Sequence, residues 1–186
     1  MKFLKKPAVA VVIAVILVLS SSFISVNAKL GAKCREVTDI FYSGMRYNNE
    51  FHPAIAEQLR SICTIANDLC VIAGNYDIDS QGLEDARSWV ESAIVYSADD
   101  AGYIYYEYSG LRSELKSMTD KLSQKELTAR HSKLLTDYEE QLKTFEYNID
   151  TAGYNEAVRA FLQEYDRMPT RFFADICGVQ MPEYFA

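Results

Sequence analysis

The sequence has 186 residues, of which 49% are hydrophobic and 12% aromatic, so the chain can bury a core and does not have a disordered composition. Its formal net charge is −7, and an acidic chain repels phosphate backbones, which argues against nucleic-acid binding. The low count of turn residues, 8 Gly and 4 Pro, argues against a turn-rich β protein.

The N-terminus has a basic segment followed by an apolar one. Lys2, Lys5 and Lys6 precede an unbroken apolar run over Ala8–Leu19. If residues 8–26 form a helix, it spans roughly 28 Å, just enough for a hydrocarbon core of about 30 Å. The lysines are expected to stay on the cytoplasmic side, so the rest of the chain is predicted to lie outside the cytoplasm.

The same segment also fits a cleaved signal peptide. Val26 and Ala28 are small apolar residues at the two positions that signal peptidase inspects before a cut at Lys29. The local pattern slightly favours cleavage over anchoring. Both interpretations place the rest of the chain in the same compartment.

The sequence that follows the N-terminal apolar segment, over residues 33–75, predicts two helices. An amphipathic helix is predicted over Lys33–Arg46, followed by a polar turn over Tyr47–His52. Pro53 is predicted as the first residue of the second helix, where its missing N–H costs nothing. Gly74 and Asn75 are predicted to end this helix.

A third helix is predicted to begin at Asp79-Ser80, because both residue types cap helices. Its predicted inner face, with Trp89 beside it, consists of Leu83, Ala86, Val90 and Ile94. The next helix is predicted over Ala101–Met118.

Ser123 and Glu126 have the spacing of a capping box, which predicts the start of another long helix that reaches Ala152. The last predicted helix has the most regular pattern. Pro169 is predicted to end it, because the residue before a proline is displaced from helical backbone, and a short apolar turn should follow. The apolar face of this helix is predicted to comprise Tyr154, Val158, Phe161, Leu162, Tyr165 and Met168.

These patterns predict an all-α fold: an antiparallel up-and-down bundle of about four helices, preceded by an N-terminal membrane helix. Residues 1–28 are predicted as the signal-anchor segment and residues 29–186 as the bundle domain. No alternating pattern of useful strand length is found in the sequence.

The residue types that most often carry chemistry do not predict a site. His52 and His131 lack partners at the spacing of metal ligands or of a general base, so both are predicted as surface residues. The acidic runs 99–100 and 137–140 are predicted as solvated helix faces, because adjacent side chains on a helix diverge by about 100°. We therefore predict no catalytic, cofactor-binding or metal-binding residue, and no cofactor.

The four cysteines raise the question of disulfides in an extracytoplasmic protein. Cys63 and Cys70 lie seven positions apart on one predicted helix, about 10 Å, which is too far to bridge. A Cys34–Cys63 bridge is possible if the first two helices form a hairpin. Cys177 has no C-x-x-C partner, so a redox or zinc motif is not predicted.

Tyrosines cluster in the predicted helix that begins at Ala101. Two of them are predicted to pack in the core and two to lie on its rim. The alternative is a stacking surface for a glycan or a peptide, because rigid aromatic side chains provide good contact area. The cluster consists of Tyr103, Tyr105, Tyr106 and Tyr108.

The C-terminal part of the chain resembles a known family. The resemblance is carried by Tyr154-Asn155-x-x-Val158, Met168-Pro169, Ala174, Gly178 and Tyr184-Phe185, with the lead-in Glu146-Tyr147-Asn148-Ile149. This pattern is similar to that of the LemA family, of which the chain resembles a divergent member over residues 134–185. The resemblance implies a membrane-tethered helical bundle without an agreed catalytic activity, whose N-terminal helix is retained as an anchor.

We therefore expect a non-enzymatic, membrane-anchored bundle protein of the cell envelope, single-pass with its C-terminal domain outside the cytoplasm. Its expected partners are the membrane, through the N-terminal segment, and an envelope protein. Neither nucleic acid nor a small-molecule substrate is expected. The alternative is a secreted binding module for a cell-wall glycan or peptide, released by cleavage after Ala28.

Overall fold

The computed structural model describes residues 7–47, 50–167 and 170–186. For residues 7–9 and 47 it describes the backbone only. Helices account for most of the described residues, which confirms the all-α prediction. The helices are α1 (Pro7–Ser43), α2 (Ile55–Gly74), α3 (Gln81–Tyr96), α4 (Ala101–Ser123), α5 (Ala129–Asp150), α6 (Tyr154–Tyr165) and α7 (Thr170–Cys177). Two short strands, β1 (Met45–Tyr47) and β2 (Glu50–His52), form one hairpin.

The chain divides into two compact units. The first comprises the N-terminal part up to Glu36 together with Ala157–Met181, and the second comprises Val37–Glu156 together with Pro182–Ala186. Helices α1 and α6 each contribute residues to both units. The predicted boundary at residue 28 lies inside α1 and stays a prediction.

The second unit contains the predicted bundle. Helix α2 packs on α3, α4 and α5, and α3 packs on α4. The predicted inner face of α3 is confirmed, because Leu83, Ala86, Val90 and Ile94 are all buried. Trp89, predicted beside them, has 59% of its surface exposed. One helical step of about 100° past the buried stripe is enough to turn this side chain to solvent.

The first helix ends earlier than predicted, and the predicted turn is a hairpin. Gly44 has a φ of +71° and stops α1 at Ser43, three residues before the predicted end. A Cβ at Gly44 would lie 2.3 Å from the carbonyl oxygen of His52. Strand β1 pairs antiparallel with β2, with Met45 opposite His52. A hairpin this short leaves no alternating pattern for the sequence to show.

Two predicted helix starts are wrong. Pro53 precedes α2 instead of opening it, because Ala54 has extended backbone and serves as the N-cap. The predicted capping box at Ser123 fails because Ser123 is the last residue of α4. Thr128 caps α5 instead, accepting the backbone N–H of His131 at 3.2 Å.

In the first unit, the predicted apolar turn after α6 is the short helix α7, whose Ala174 is fully buried. The predicted core positions Val158, Phe161 and Tyr165 of α6 are buried, whereas Leu162 is half-buried. Helix α6 ends at Tyr165. The predicted roles of residues 168 and 169 lie outside the described residues, as do Lys2, Lys5 and Lys6.

Candidate functional site

Helix α1 carries the most apolar surface of the described chain. In the most apolar 18-residue stretch of this helix no side chain is buried. Val11, Leu17 and Ile24, for example, are each more than 60% exposed. Among the described residues it is the one helix long and apolar enough to span a membrane, over Ala10–Ser43. By length and composition it fits either a membrane anchor or a signal sequence.

Directly beyond the apolar segment, α1 is tied to α6 within the first unit. The Glu164 carboxylate pairs with two lysines. Its Oε1 lies 2.7 Å from the Lys29 Nζ, and its Oε2 accepts a hydrogen bond from the Lys33 Nζ. The two hydrogen bonds from the lysines lower the pKa of Glu164 from 4.5 to about 2. The carboxylate therefore stays ionised throughout the physiological range.

In the second unit, residues 182–186 lie along the bundle and are held by side chains at the start of α6. The Asn155 side-chain amide donates to the Phe185 carbonyl at 3.0 Å and accepts the Phe185 N–H at 2.9 Å. The Tyr154 hydroxyl donates to the Glu183 carbonyl at 2.8 Å. Asn155 thus pairs with the backbone of Phe185 as a neighbouring strand would.

The Phe185 side chain is buried in an aromatic cluster. Its ring lies 5.6 Å from Phe41, 5.1 Å from Tyr105 and 6.0 Å from Tyr108, with edge-on geometry toward the first two. Burial raises the pKa of Tyr108, so its phenol stays neutral. Of the four clustered tyrosines, Tyr108 is buried, Tyr105 is half-buried, and Tyr103 and Tyr106 are exposed, so the prediction of two core tyrosines is confirmed for Tyr108 alone.

A carboxyl pair lies where this segment passes the start of α4. Asp100 caps α4 by accepting the Tyr103 N–H at 2.7 Å. Repulsion from Asp100 raises the pKa of Glu183, and the two carboxyl groups are also hydrogen-bonded to each other. The Gly102 N–H donates to Glu183 and partly opposes this shift. A Cβ at Gly102 would lie 2.7 Å from the Glu183 carboxylate.

A small polar cavity of about 150 Å³ lies beside Phe185. The Arg112 guanidinium and the Glu146 carboxylate form an ion pair at 2.8 Å in its lining. This pair neutralises Arg112, and Asp150 and Glu156 are further carboxylates of the lining. The other residues that line the cavity include Ile149 and Asn155.

A larger open groove of about 570 Å³ runs between the outer faces of α3 and α4. It combines two exposed aromatic residues, Trp89 and Tyr106, with three carboxylates. Its lining consists of Gly82, Asp85, Ala86, Trp89, Tyr106, Glu107, Ser109, Gly110, Ser113 and Glu114. We name it the α3/α4 groove; it is the candidate binding site of the second unit.

The remaining candidates from the sequence do not converge on a site in the described chain. Both histidines are half-buried, and the His131 Nδ1 is hydrogen-bonded to the Tyr76 hydroxyl at 2.8 Å. Cys63 is a buried free thiol, so the Cys34–Cys63 bridge is not formed. Burial raises the pKa of Cys63 to about 12, so the thiol is unreactive. No three His, Cys, Asp or Glu residues among the described ones are placed to hold a metal ion.

Sequence reasoning missed the α3/α4 groove, although it singled out Tyr106. Trp89 was predicted only as a residue beside the inner face of α3, and the acidic residues of the groove come from two helices. A helical wheel of α3 places Trp89 at the edge of the buried stripe, with Asp85 and Ser92 on its polar side, and this position is the signal for an exposed aromatic residue.

Comparisons of the chain with protein-family models, curated proteins and solved structures find no significant match. The resemblance that rests on Tyr154, Asn155 and Phe185 therefore stays a prediction. In the structure Asn155 pairs with the backbone of Phe185 and Tyr154 donates to the Glu183 carbonyl, which gives these residues a physical role in holding residues 182–186 on the bundle.

Proposed function

We propose that the chain is a membrane-anchored, non-enzymatic bundle protein of the cell envelope, similar to the LemA family, that acts as a scaffold or interaction protein. In this proposal α1 holds the protein in the membrane and the second unit is presented outside the cytoplasm to a protein partner. The observation that carries the proposal is the exposed apolar part of α1.

Two features of α1 support retention of the anchor. Each exposed valine or leucine side chain costs about 1.5–3 kcal/mol in water relative to burial, and a bilayer removes this cost. The helix also continues without interruption from the apolar segment to Leu30 and Phe41, which are buried. The apolar segment and Leu30 of the first unit therefore lie on the same helix.

The non-enzymatic part of the proposal is supported by how reactive side chains are used. His131 is engaged by Tyr76 at the start of α5, and Cys63 is a small apolar core residue with a raised pKa. Arg112 and Glu146 form an ion pair with each other in the small polar cavity beside Phe185. Each group has a packing or pairing role, so none needs a catalytic one.

Membrane retention is the first test. We expect the full chain with a C-terminal tag to stay in membranes after an alkaline carbonate wash, with the tag accessible only from the outside. Val12→Arg with Val18→Arg should release the protein, because each arginine at mid-membrane costs about 3 kcal/mol. Val71→Arg with Val95→Arg is the matched control, since both valines are exposed in the bundle. Recovery of the wild-type chain in the wash or the medium would contradict the proposal.

The second candidate is a secreted binding module, and the exposed pair Trp89 and Tyr106 favours it. Aromatic faces stack on sugar rings as well as on peptides. This candidate requires cleavage after Ala28. A mature N-terminus at Lys29, found by mass spectrometry of protein from the medium, would replace the first proposal with this one.

A further inference from the structure

We infer that the α3/α4 groove binds an extended, arginine-rich segment of the protein partner, a conclusion that rests on the proposed function as an interaction protein. The argument uses the aromatic residues, the charge and the shape of the groove. The ligand is identified by its chemistry alone: guanidinium groups on an extended chain.

The aromatic residues are placed for a ligand. Trp89 on α3 and Tyr106 on α4 are 59% and 72% exposed, although both are large side chains that gain from burial. They lie on the two sides of one groove. An arginine side chain covers such rings well, because the planar guanidinium stacks on an aromatic face and is attracted by its electrons.

The charge of the groove selects a cation. Asp85, Glu107 and Glu114 contribute three carboxylates, and among the described residues that line the groove none is basic. Glu107 is held by a hydrogen bond from the Tyr103 hydroxyl, which raises the pKa of Tyr103. A carboxylate held in place loses less freedom when it pairs with a guanidinium.

The floor of the groove allows close approach. Gly82, Ala86 and Gly110 supply no bulky side chain, and nothing lies within 4 Å of where a Cβ at Gly110 would be. Beside Gly82 the Glu114 carboxylate takes the free space, because a Cβ there would lie 3.0 Å from its oxygen. Along α3, the distance from Gly82 to Trp89 corresponds to about 10 Å, or roughly three residues of extended chain. The groove is thus an open trough suited to a peptide backbone with alternating side chains.

The mixture of groups favours arginine over other cations. A quaternary ammonium is usually enclosed by several aromatic walls and needs no hydrogen-bond acceptor. Here two aromatic residues stand with three acceptors, and a guanidinium uses both, because it stacks and donates in the same plane. A hydrated divalent ion would make no use of Trp89.

Trp89 makes the test direct, because it is the sole tryptophan of the sequence. The full chain in neutral detergent micelles is titrated with N-acetyl hexa-arginine amide at constant ionic strength, and Trp89 emission is recorded. We expect a saturable change in emission that hexa-glutamate does not produce. The absence of a saturable response to hexa-arginine would overturn the inference.

Charge-matched variants separate the groove from general attraction to an acidic protein. Asp85→Asn, Glu107→Gln and Glu114→Gln combined should weaken hexa-arginine binding about tenfold, as three partly exposed pairs are lost. The control variant removes three exposed carboxylates elsewhere and should bind within about twofold of wild type. It combines Glu50→Gln, Glu126→Gln and Glu140→Gln. Equal weakening in both variants would show non-specific attraction and overturn the inference.

Tyr106→Ala provides a check that does not change charge. It should weaken binding severalfold while the helical circular dichroism signal stays unchanged, because Tyr106 is exposed. Unchanged affinity would overturn the role of the aromatic pair. A chain retained in membranes that fails to bind hexa-arginine contradicts only this inference. A chain released into the medium that binds it contradicts only the proposed anchor.

Discussion

Glu164 is a single residue that joins two parts of the first unit. Its pKa of about 2 in the folded chain lies below its ordinary value of 4.5, so its ionised form stabilises the fold. This contribution is complete above pH 4.5 and disappears as the pH falls toward 2. Its partners Lys29 and Lys33 are partly exposed, so water screens part of the interaction.

Glu164→Gln should lower the free energy of unfolding at pH 7 by about 1 kcal/mol, because the uncharged amide pairs weakly with the lysines. The difference from wild type should shrink between pH 4.5 and pH 2. Urea denaturation in detergent at several pH values measures both effects. Glu140→Gln, at an exposed position, is the control. A difference that persists unchanged at pH 2 would contradict the ionic origin.

The pKa of Glu183 shifts in the direction opposite to that of Glu164. Its pKa is raised in the folded chain, chiefly by Asp100, so its protonated form fits the fold better. The stability gained by protonation is complete below the ordinary pKa of 4.5 and is lost as the pH rises through the raised value. The bundle is therefore expected to hold residues 182–186 less tightly at neutral pH than in mild acid.

Glu183→Gln should raise the melting temperature of the full chain at pH 7, because the amide keeps the hydrogen bonds to Asp100 and Gly102 without the repulsion. At pH 4 the variant and the wild type should melt together. Thermal melting followed by circular dichroism at both pH values distinguishes these outcomes. A variant that is less stable at pH 7 would contradict the assignment of repulsion to this pair.

At the scale of elements, residues 182–186 behave as a strand-like segment that completes the second unit. Phe185→Ala should destabilise the chain by about 3 kcal/mol, since it empties an aromatic cluster. Tyr184→Ala, one position away at a side chain that is 38% exposed, should cost less than about 1 kcal/mol. Urea denaturation of both variants provides the comparison. Equal losses would show that Phe185 has no special role.

The helices were predictable because their signals are local. Periodic apolar residues in α2, α3 and α6 and the stop at Gly74-Asn75 follow from spacing within one element, and the structure confirms them. The errors at helix ends are local as well. Gly44 ends α1 because it takes a φ of +71°, a conformation that favours glycine, and the His52 carbonyl leaves no room there for a side chain. The predicted end at Arg46 was wrong because the apolar Met45 extends the periodic pattern past this stop signal.

For the whole molecule, the candidate sites were the least predictable part. The contacts of Asn155 with Phe185 join residues 30 positions apart, and the α3/α4 groove joins side chains of two helices. Periodicity shows which face of a helix is polar. It does not show which other helix places its own polar face next to that one. Tyr106 was recognised as part of an aromatic cluster, whereas its neighbour Trp89 was not.

The uninterrupted course of α1 has a kinetic consequence for the cleavage question. A peptidase acts on backbone that is locally unfolded, so a helix through Ala28 slows cutting there. Glu164, which secures Lys29, is synthesised 164 − 29 = 135 residues later, a delay of roughly 10 s at typical rates of translation. Retention of the anchor thus depends on whether cleavage takes place before Glu164 has been synthesised and can bind Lys29.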